Sequence, residues 1–317
     1  MTSRVVGEYA GLFALLLFVL AATLKACKLR LPADEVWLES LGPEADPASR
    51  AEVELPVGVT DRRGQFVCGL EAGDFRVFEN GRVQSINSFK RENLPVTVGL
   101  VLDTSDSMRT KHAEVFAALF SFLESINPRD EFLIVNFSDR NSLRSPSNME
   151  FTDSLERLEQ LIRCHPLEGE TALRDAVLLA MERVKSGSRE RKTLVIITDG
   201  NDNASRVGCD EVLKAAGKSS IPIHSLEIVD DAAQGGDSSE FLAQLAEITG
   251  GTAHIAQYTD EISERGRQIA RELHEQYTLV YRSTNPGSHG NFRTIRVVAE
   301  TSVQSKLFVR TRIGYTV

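Results

Sequence analysis

The sequence predicts an α/β fold, a doubly wound and mostly parallel sheet, flanked by an accessory β domain built from N- and C-terminal strands. Three observations predict it. Apolar runs at Val96–Leu102, Phe132–Phe137, Leu194–Thr198 and Ile223–Val229 have the length and character of strands covered on both faces. The segments between them repeat apolar residues at three- and four-residue spacing, and strands alternating with helices build a parallel sheet. On either side of this unit the pattern changes to strict alternation, the period of half-buried strands.

The elements follow in order. Tyr9 to Leu24 is sixteen residues without a charge. At 1.5 Å per residue it spans roughly 24 Å, short of the roughly 30 Å hydrocarbon core of a bilayer. Residues 1–30 therefore read as a signal peptide or membrane anchor. Lys25, Lys28 and Arg30 follow the apolar stretch, and the positive-inside rule alone would hold the rest of the chain in the cytoplasm. Leu24-Lys25-Ala26-Cys27 is close to a bacterial lipobox but carries an off-pattern Lys. Residues 31–50 read as an acidic linker. The stretch 31–54 holds seven acids against one base, −6 of the chain's net −9, so the acidity is local and says little about partners. A net negative chain does not fit broad nucleic-acid binding, and 42% hydrophobic content does not fit disorder. Four cysteines in 317 residues do not make a disulfide scaffold. Cys68, Cys164 and Cys209 lack C-x-x-C spacing, which argues against zinc and reads as small buried hydrophobes.

Residues 51–92 read as an N-terminal β segment. Val53, Leu55, Val57 and Val59 alternate, and Asn80-Gly81 between Phe75, Val77 and Ile86, Phe89 signals a hairpin. Residues 93–275 hold the α/β unit. Its first helix is predicted over 108–126 and ends before Pro128. Asp153 with Glu156 resembles a capping box for a helix carrying Leu155, Leu158, Leu161 and Ile162. Leu173 to Val184 is the next helix. Phe241 to Ile248 ends at Gly250-Gly251, and Thr259 is predicted to cap the last helix. Residues 276–317 return to alternation, with a turn at Asn285-Pro286-Gly287, and are predicted to pack with 51–92. Arg293, Arg296, Arg310 and Arg312 read as outward-facing, the run Arg189–Lys192 as a solvated loop, and Asp202 and Asp210 as solvated loop residues.

Ligands of open α/β sheets bind beyond the carboxyl ends of the strands. After the first buried strand comes Asp103-Thr104-Ser105-Asp106-Ser107, and after the third comes Asp199-Gly200; Gly169-Glu170-Thr171 opens a helix between them. Two carboxylates and three hydroxyls at one sheet edge are hard oxygen donors, suited to Mg²⁺, Mn²⁺ or Ca²⁺. Alternate side chains of a tight loop point the same way, so Asp103-x-Ser105-x-Ser107 can converge on one ion. Neutral hydroxyls leave such an ion able to take one more anionic oxygen. The following helix N-terminus adds partial positive charge.

The set Asp103, Ser105, Ser107, Thr171 and Asp199-Gly200 resembles the metal-ion-dependent adhesion site of von Willebrand factor type A domains. Further segments, among them 74–81, 95–99, 277–283 and 310–315, make the chain similar to the VWFA-related domain proteins described mainly from Acidobacteria. The resemblance implies that Ser105, Ser107 and Thr171 contact the metal directly and that Asp103 and Asp199 act through water. Mg²⁺ is the implied ion, with Mn²⁺ or Ca²⁺ as substitutes. Asp106 stands where the family has Gly, and Glu170 where a small residue is usual; both add negative charge near the site.

The expectation is a non-enzymatic, extracytoplasmic adhesion module that binds a protein partner through the cation, the partner offering an acidic side chain. No nucleic acid is expected, and membrane contact falls to the N-terminal segment. Two alternative readings stand beside it: a cytoplasmic, membrane-tethered cofactor of a chelatase- or ATPase-type complex, and a Mg²⁺-dependent phosphoryl-transfer enzyme. Against the enzyme, Ser105 stands two residues after Asp103 where a general acid/base is needed, and no G-x-x-x-x-G-K-[ST] or G-x-S-x-G motif occurs.

Overall fold

The computed structural model describes residues 52–91, 94–138, 151–163, 168–230, 237–285, 291–301 and 307–316. The N-terminal apolar stretch, the acidic linker, Cys27, Cys164 and most of the turn after Asn285 lie outside them. Among the described residues no helix is long and apolar enough to cross a membrane.

Four strands come first: β1 (Glu52–Thr60), β2 (Phe75–Glu79), β3 (Arg82–Gln84) and β4 (Ile86–Lys90). The α/β unit follows with β5 (Val96–Asp103), α1 (His112–Leu123), β6 (Glu131–Phe137), β7 (Phe151–Thr152), α2 (Leu155–Arg163), α3 (Leu173–Val184) and β8 (Arg191–Thr198). It continues with α4 (Cys209–Lys218), β9 (Ile223–Ile228), α5 (Asp237–Thr249), β10 (Ala253–Ala256) and α6 (Thr259–His274). The chain closes with β11 (Tyr277–Arg282), β12 (Phe292–Ala299), β13 (Phe308–Arg310) and β14 (Gly314–Thr316).

The central sheet has the order β10-β9-β8-β5-β6-β7. All neighbours run parallel except β7, which pairs antiparallel with β6 at the edge. The winding reverses between β5 and β8, so their carboxyl ends diverge into a crevice. Both faces are covered, as the double-sided apolar runs require. Val98, Leu100, Leu102, Val195 and Ile197 meet α1, α2 and α6 on one face. Val101, Leu133, Val135, Leu194 and Ile196 meet α3, α4 and α5 on the other.

The flanking strands form two four-stranded sheets, β13-β1-β11-β4 and β14-β12-β2-β3. N- and C-terminal segments interleave: Leu55 faces Leu279 across the β1–β11 pair, and Val77 faces Val297 across the β2–β12 pair. Val53, Leu55, Val57, Val59, Phe75, Val77, Tyr277, Leu279 and Tyr281 share one core between the sheets. This is the accessory β structure that alternation predicts.

Several local expectations change. The Asn80-Gly81 turn has positive φ at both residues, 49° and 78°, as a two-residue hairpin with right-handed strand twist demands. It joins β2 to the short β3, however, and not to Ile86 and Phe89; those lie on β4, which pairs with β11 in the other sheet. The first helix begins at His112, after a 3-10 turn over Asp106–Arg109. Ser154, not Asp153, caps α2, its hydroxyl accepting from the Arg157 amide at 3.2 Å. Thr259 is the first residue of α6, after Tyr258 in the capping position. Cys68 and Cys209 are exposed thiols and not buried hydrophobes. Arg191 opens β8 and donates to the Leu273 carbonyl and Gln276. Arg293 is buried, because a carboxylate on a neighbouring strand, Glu79, accepts from it at 3.1 Å.

Candidate functional site

The site grows from the end of β5. Asp103 is buried, and both of its carboxylate oxygens are held: Ser105 N–H donates to Oδ1 at 3.0 Å and Thr198 Oγ1 to Oδ2 at 2.7 Å. The Ser105 amide bond closes an Asx-type turn that reverses the chain. Met108 then plugs into the core beneath α1 and fixes the 3-10 turn carrying Ser107. As a result the Ser105 and Ser107 hydroxyls lie 3.0 Å apart.

Two further loops are stitched to this one through the backbone. Asp106 N–H donates to the Gly169 carbonyl at 3.1 Å, and Glu168 N–H to that of Thr104 at 2.8 Å. Thr171 N–H donates to Asn203 Oδ1 at 2.8 Å, while Asn203 and Ala204 amides return to the Thr171 carbonyl at 3.0 Å each. Ser105, Ser107 and Thr171 thereby line one solvent-open cavity, together with Asp106, Glu170 and Asp202 among others. Asp103 and Asp199 are not part of that lining. The Asp199 side chain is 1% exposed; Asn201 donates to its Oδ1, and Lys111 Nζ lies 3.8 Å from its Oδ2.

Asp202 is not a solvated loop residue. It accepts from the Arg174 amide at 2.9 Å and from Arg174 Nε at 2.8 Å, so it caps α3 and holds the third loop to the second. Asp210, by contrast, is exposed, though it lies in the first turn of α4 and not in a loop. The Asp106 carboxylate turns outward to Arg109 Nε at 2.9 Å, which offsets the charge that replaces the usual glycine. Gly200 adopts φ +87°, and a Cβ there would stand 2.3 Å from Glu227 Oε1. The positive φ disfavours a side chain here, and the Glu227 carboxylate would have to swing aside for one.

Buried carboxylates dominate the electrostatics. Burial pushes the Asp103 carboxyl up to about 6; the Thr198 and Ser105 hydrogen bonds oppose the rise, and the charge of Asp199 adds to it. Burial also raises Glu227, again with Asp199 contributing. Asn203, Asp202, Lys111 and Glu227 were missed in the sequence. The run Asp199-Gly200-Asn201-Asp202-Asn203 after a buried strand was the available signal for two of them. Lys111 and Glu227 carry no local signal, since their partners come from other parts of the chain.

The sequence matches the von Willebrand factor type A domain over residues 97–255, half of the chain. The chain belongs to this family. Solved structures similar to this von Willebrand A protein include a von Willebrand factor type A protein from Catenulispora acidiphila, 15% identical, with a TM-score of 0.46 over 77% of this chain and 73% of that one. BatB from Bacteroides thetaiotaomicron is 16% identical, with a TM-score of 0.42 over 56% of this chain and 97% of that one. The von Willebrand factor domain of the pilus tip protein Mfa5 from Porphyromonas gingivalis is 13% identical, with a TM-score of 0.43 over 57% and 95%. No curated protein matches the sequence.

A divalent ion is implied by the family, and the donor set fits one. Octahedral coordination at 2.0–2.1 Å puts adjacent ligand oxygens about 2.9 Å apart. The Ser105 and Ser107 oxygens, hydrogen-bonded to each other at 3.0 Å, already stand at that spacing. Two buried carboxylates behind the hydroxyls supply negative charge that a cation would relieve. Among the described residues no group of three or more His, Cys, Asp or Glu side chains is arranged for a metal.

Proposed function

We propose that this von Willebrand A domain is a non-enzymatic protein-interaction module of the adhesion type. Ser105, Ser107 and Thr171 hold a divalent cation directly, Mg²⁺ with Mn²⁺ or Ca²⁺ as substitutes, and Asp103 and Asp199 act through water. The ion is presented at an open surface, where an acidic side chain of a protein partner completes its coordination. The N-terminal apolar segment tethers the module at the bacterial envelope, on the extracytoplasmic side.

The observation that supports this reading is the meeting of three separate loops at one cavity, with two hydroxyl oxygens at the spacing of shared ligands. Neutral direct ligands leave most of the ion's charge available to an incoming carboxylate. Mg²⁺ and Mn²⁺ are titrated calorimetrically into the purified full chain and into Asp199→Ala. Binding by the parent and its loss in the variant are expected. A parent chain that takes up neither ion ends the proposal.

A further inference from the structure

Lys111 stands immediately before α1 and is only 9% exposed, unusual for a lysine. Its ammonium group donates to the Ile228 carbonyl at 3.2 Å and lies 3.3 Å from Asp230 Oδ2 and 3.8 Å from Asp199 Oδ2. Its amide donates to the Met108 carbonyl at 3.1 Å, so its backbone is tied to the turn that carries Ser107. One side chain thus crosses from the first loop to those after β8 and β9. Around it lie Asp199 and Glu227, both buried, and the exposed Asp230. A buried carboxylate without a counter-charge is strongly unfavourable. Asp199 has Lys111 as its counter-charge.

We propose that Lys111 is an internal counter-cation that sets the affinity of the divalent site. The inference rests on the metal reading above. Without an ion, the ammonium group balances Asp199 and keeps the loops in place. With an ion, it stays, anchored by Ile228 and Asp230, and repels the incoming charge. The affinity is therefore held below what the oxygen donors alone provide, and the ion remains dependent on an anionic oxygen from outside.

A lysine that merely supports the fold and one that tunes the site differ in sign. The former, once removed, weakens both stability and ion binding. The latter weakens the metal-free protein while tightening the ion. Mg²⁺ affinity is measured by calorimetry, and melting in EDTA and in saturating Mg²⁺, for the full chain, Lys111→Met, Lys111→Gln and Lys111→Arg. Lys111→Met and Lys111→Gln are expected to bind Mg²⁺ about tenfold more tightly, the effect of one unit charge on a divalent ion a few ångströms away in a water-like dielectric. They melt below the parent in EDTA, and the gap narrows in Mg²⁺. Lys111→Arg keeps the parent's behaviour. Lys111→Gln guards against misfolding of the Met variant, because its amide can still donate to Ile228. Equal or weaker Mg²⁺ binding by a folded uncharged variant, with the parent binding, overturns the role of Lys111 alone. Absence of binding in the parent and every variant overturns the metal reading with it.

Discussion

A serine hydroxyl is a weak ligand alone, and the value it would have in the proposed site comes from what fixes it. Ser105 is placed by the Asx turn on Asp103, and Ser107 by the 3-10 turn whose Met108 is buried. Thr171 is different: its amide and carbonyl, not its side chain, make the bonds to Asn203 and Ala204. Removing its hydroxyl therefore leaves the loop intact. Thr171→Val keeps the β-branched shape and is expected to lower Mg²⁺ affinity at least about tenfold, the scale of losing even an outer-sphere partner, with melting in EDTA unchanged. Paired calorimetry and melting curves check this. At this scale the candidate site was legible where its residues are local. Asp103, Ser105 and Ser107 declare themselves within five residues, and Thr171 and Asp199 by their place after or before regular elements. Asp202 was misread because a loop aspartate looks solvated until the helix end it caps is known.

Elements were legible through periodicity, and their meetings were not. The β1 alternation Val53, Leu55, Val57, Val59 is buried residue for residue. Apolar spacing likewise located α1, α3, α5 and α6. What periodicity omits is how closely two helices approach. Gly266, in the middle of α6, reads as a weak point, since Ala is favoured over Gly in helices by about 1 kcal/mol. Yet a Cβ at Gly266 would stand 2.5 Å from the backbone carbonyl of Ala118 on α1. Gly266→Ala is thus expected to destabilise by roughly 1–2 kcal/mol, the overpacking cost outweighing the gain in propensity. Urea unfolding measures it; a stabilised variant would mean that the helices separate at little cost. The hairpin partner of β2 was mistaken for a related reason. Alternation says that a strand is half-buried, not which sheet receives it, and the chain changes sheets between β3 and β4.

Across the whole molecule the accessory β structure is clamped by one buried acid. Glu79, on β2, accepts from Tyr281 on β11 at 2.7 Å, from Ser283 at 2.7 Å, from Asn285 at 2.7 Å, from Arg293 on β12 at 3.1 Å and from Tyr315 on β14 at 2.9 Å. Both sheets are thus joined at a single carboxylate. Burial alone would raise its pKa, but the hydrogen bonds from Asn285, Ser283, Tyr281 and Tyr315 outweigh burial and lower it. A carboxyl lowered in the folded state contributes stability that is present above its unfolded pKa, about 4.3, and is lost as pH falls through the folded value. The parent should therefore lose stability more steeply than Glu79→Gln on acidification below about pH 4.5. At neutral pH, Glu79→Ala leaves Arg293 buried without its partner and should cost about 3–5 kcal/mol. Denaturant midpoints at several pH values test both; parallel profiles for parent and Glu79→Gln would remove the clamp from the stability of the molecule.

The order of strands and helices, the two faces of the central sheet and the oxygen-rich chemistry at its rim are written in short stretches of residues. Each depends on neighbours a few positions apart, where side-chain period and turn preference act directly. The burial of Glu79 with Arg293, the reach of Lys111 to Asp199 and the sheet that takes β4 depend on residues far apart along the chain. A charged side chain enters a core when a partner from another strand neutralises it there, and no local pattern announces that partner. Folding brings the two together, and their attraction in a medium poor in water is what makes the burial tolerable.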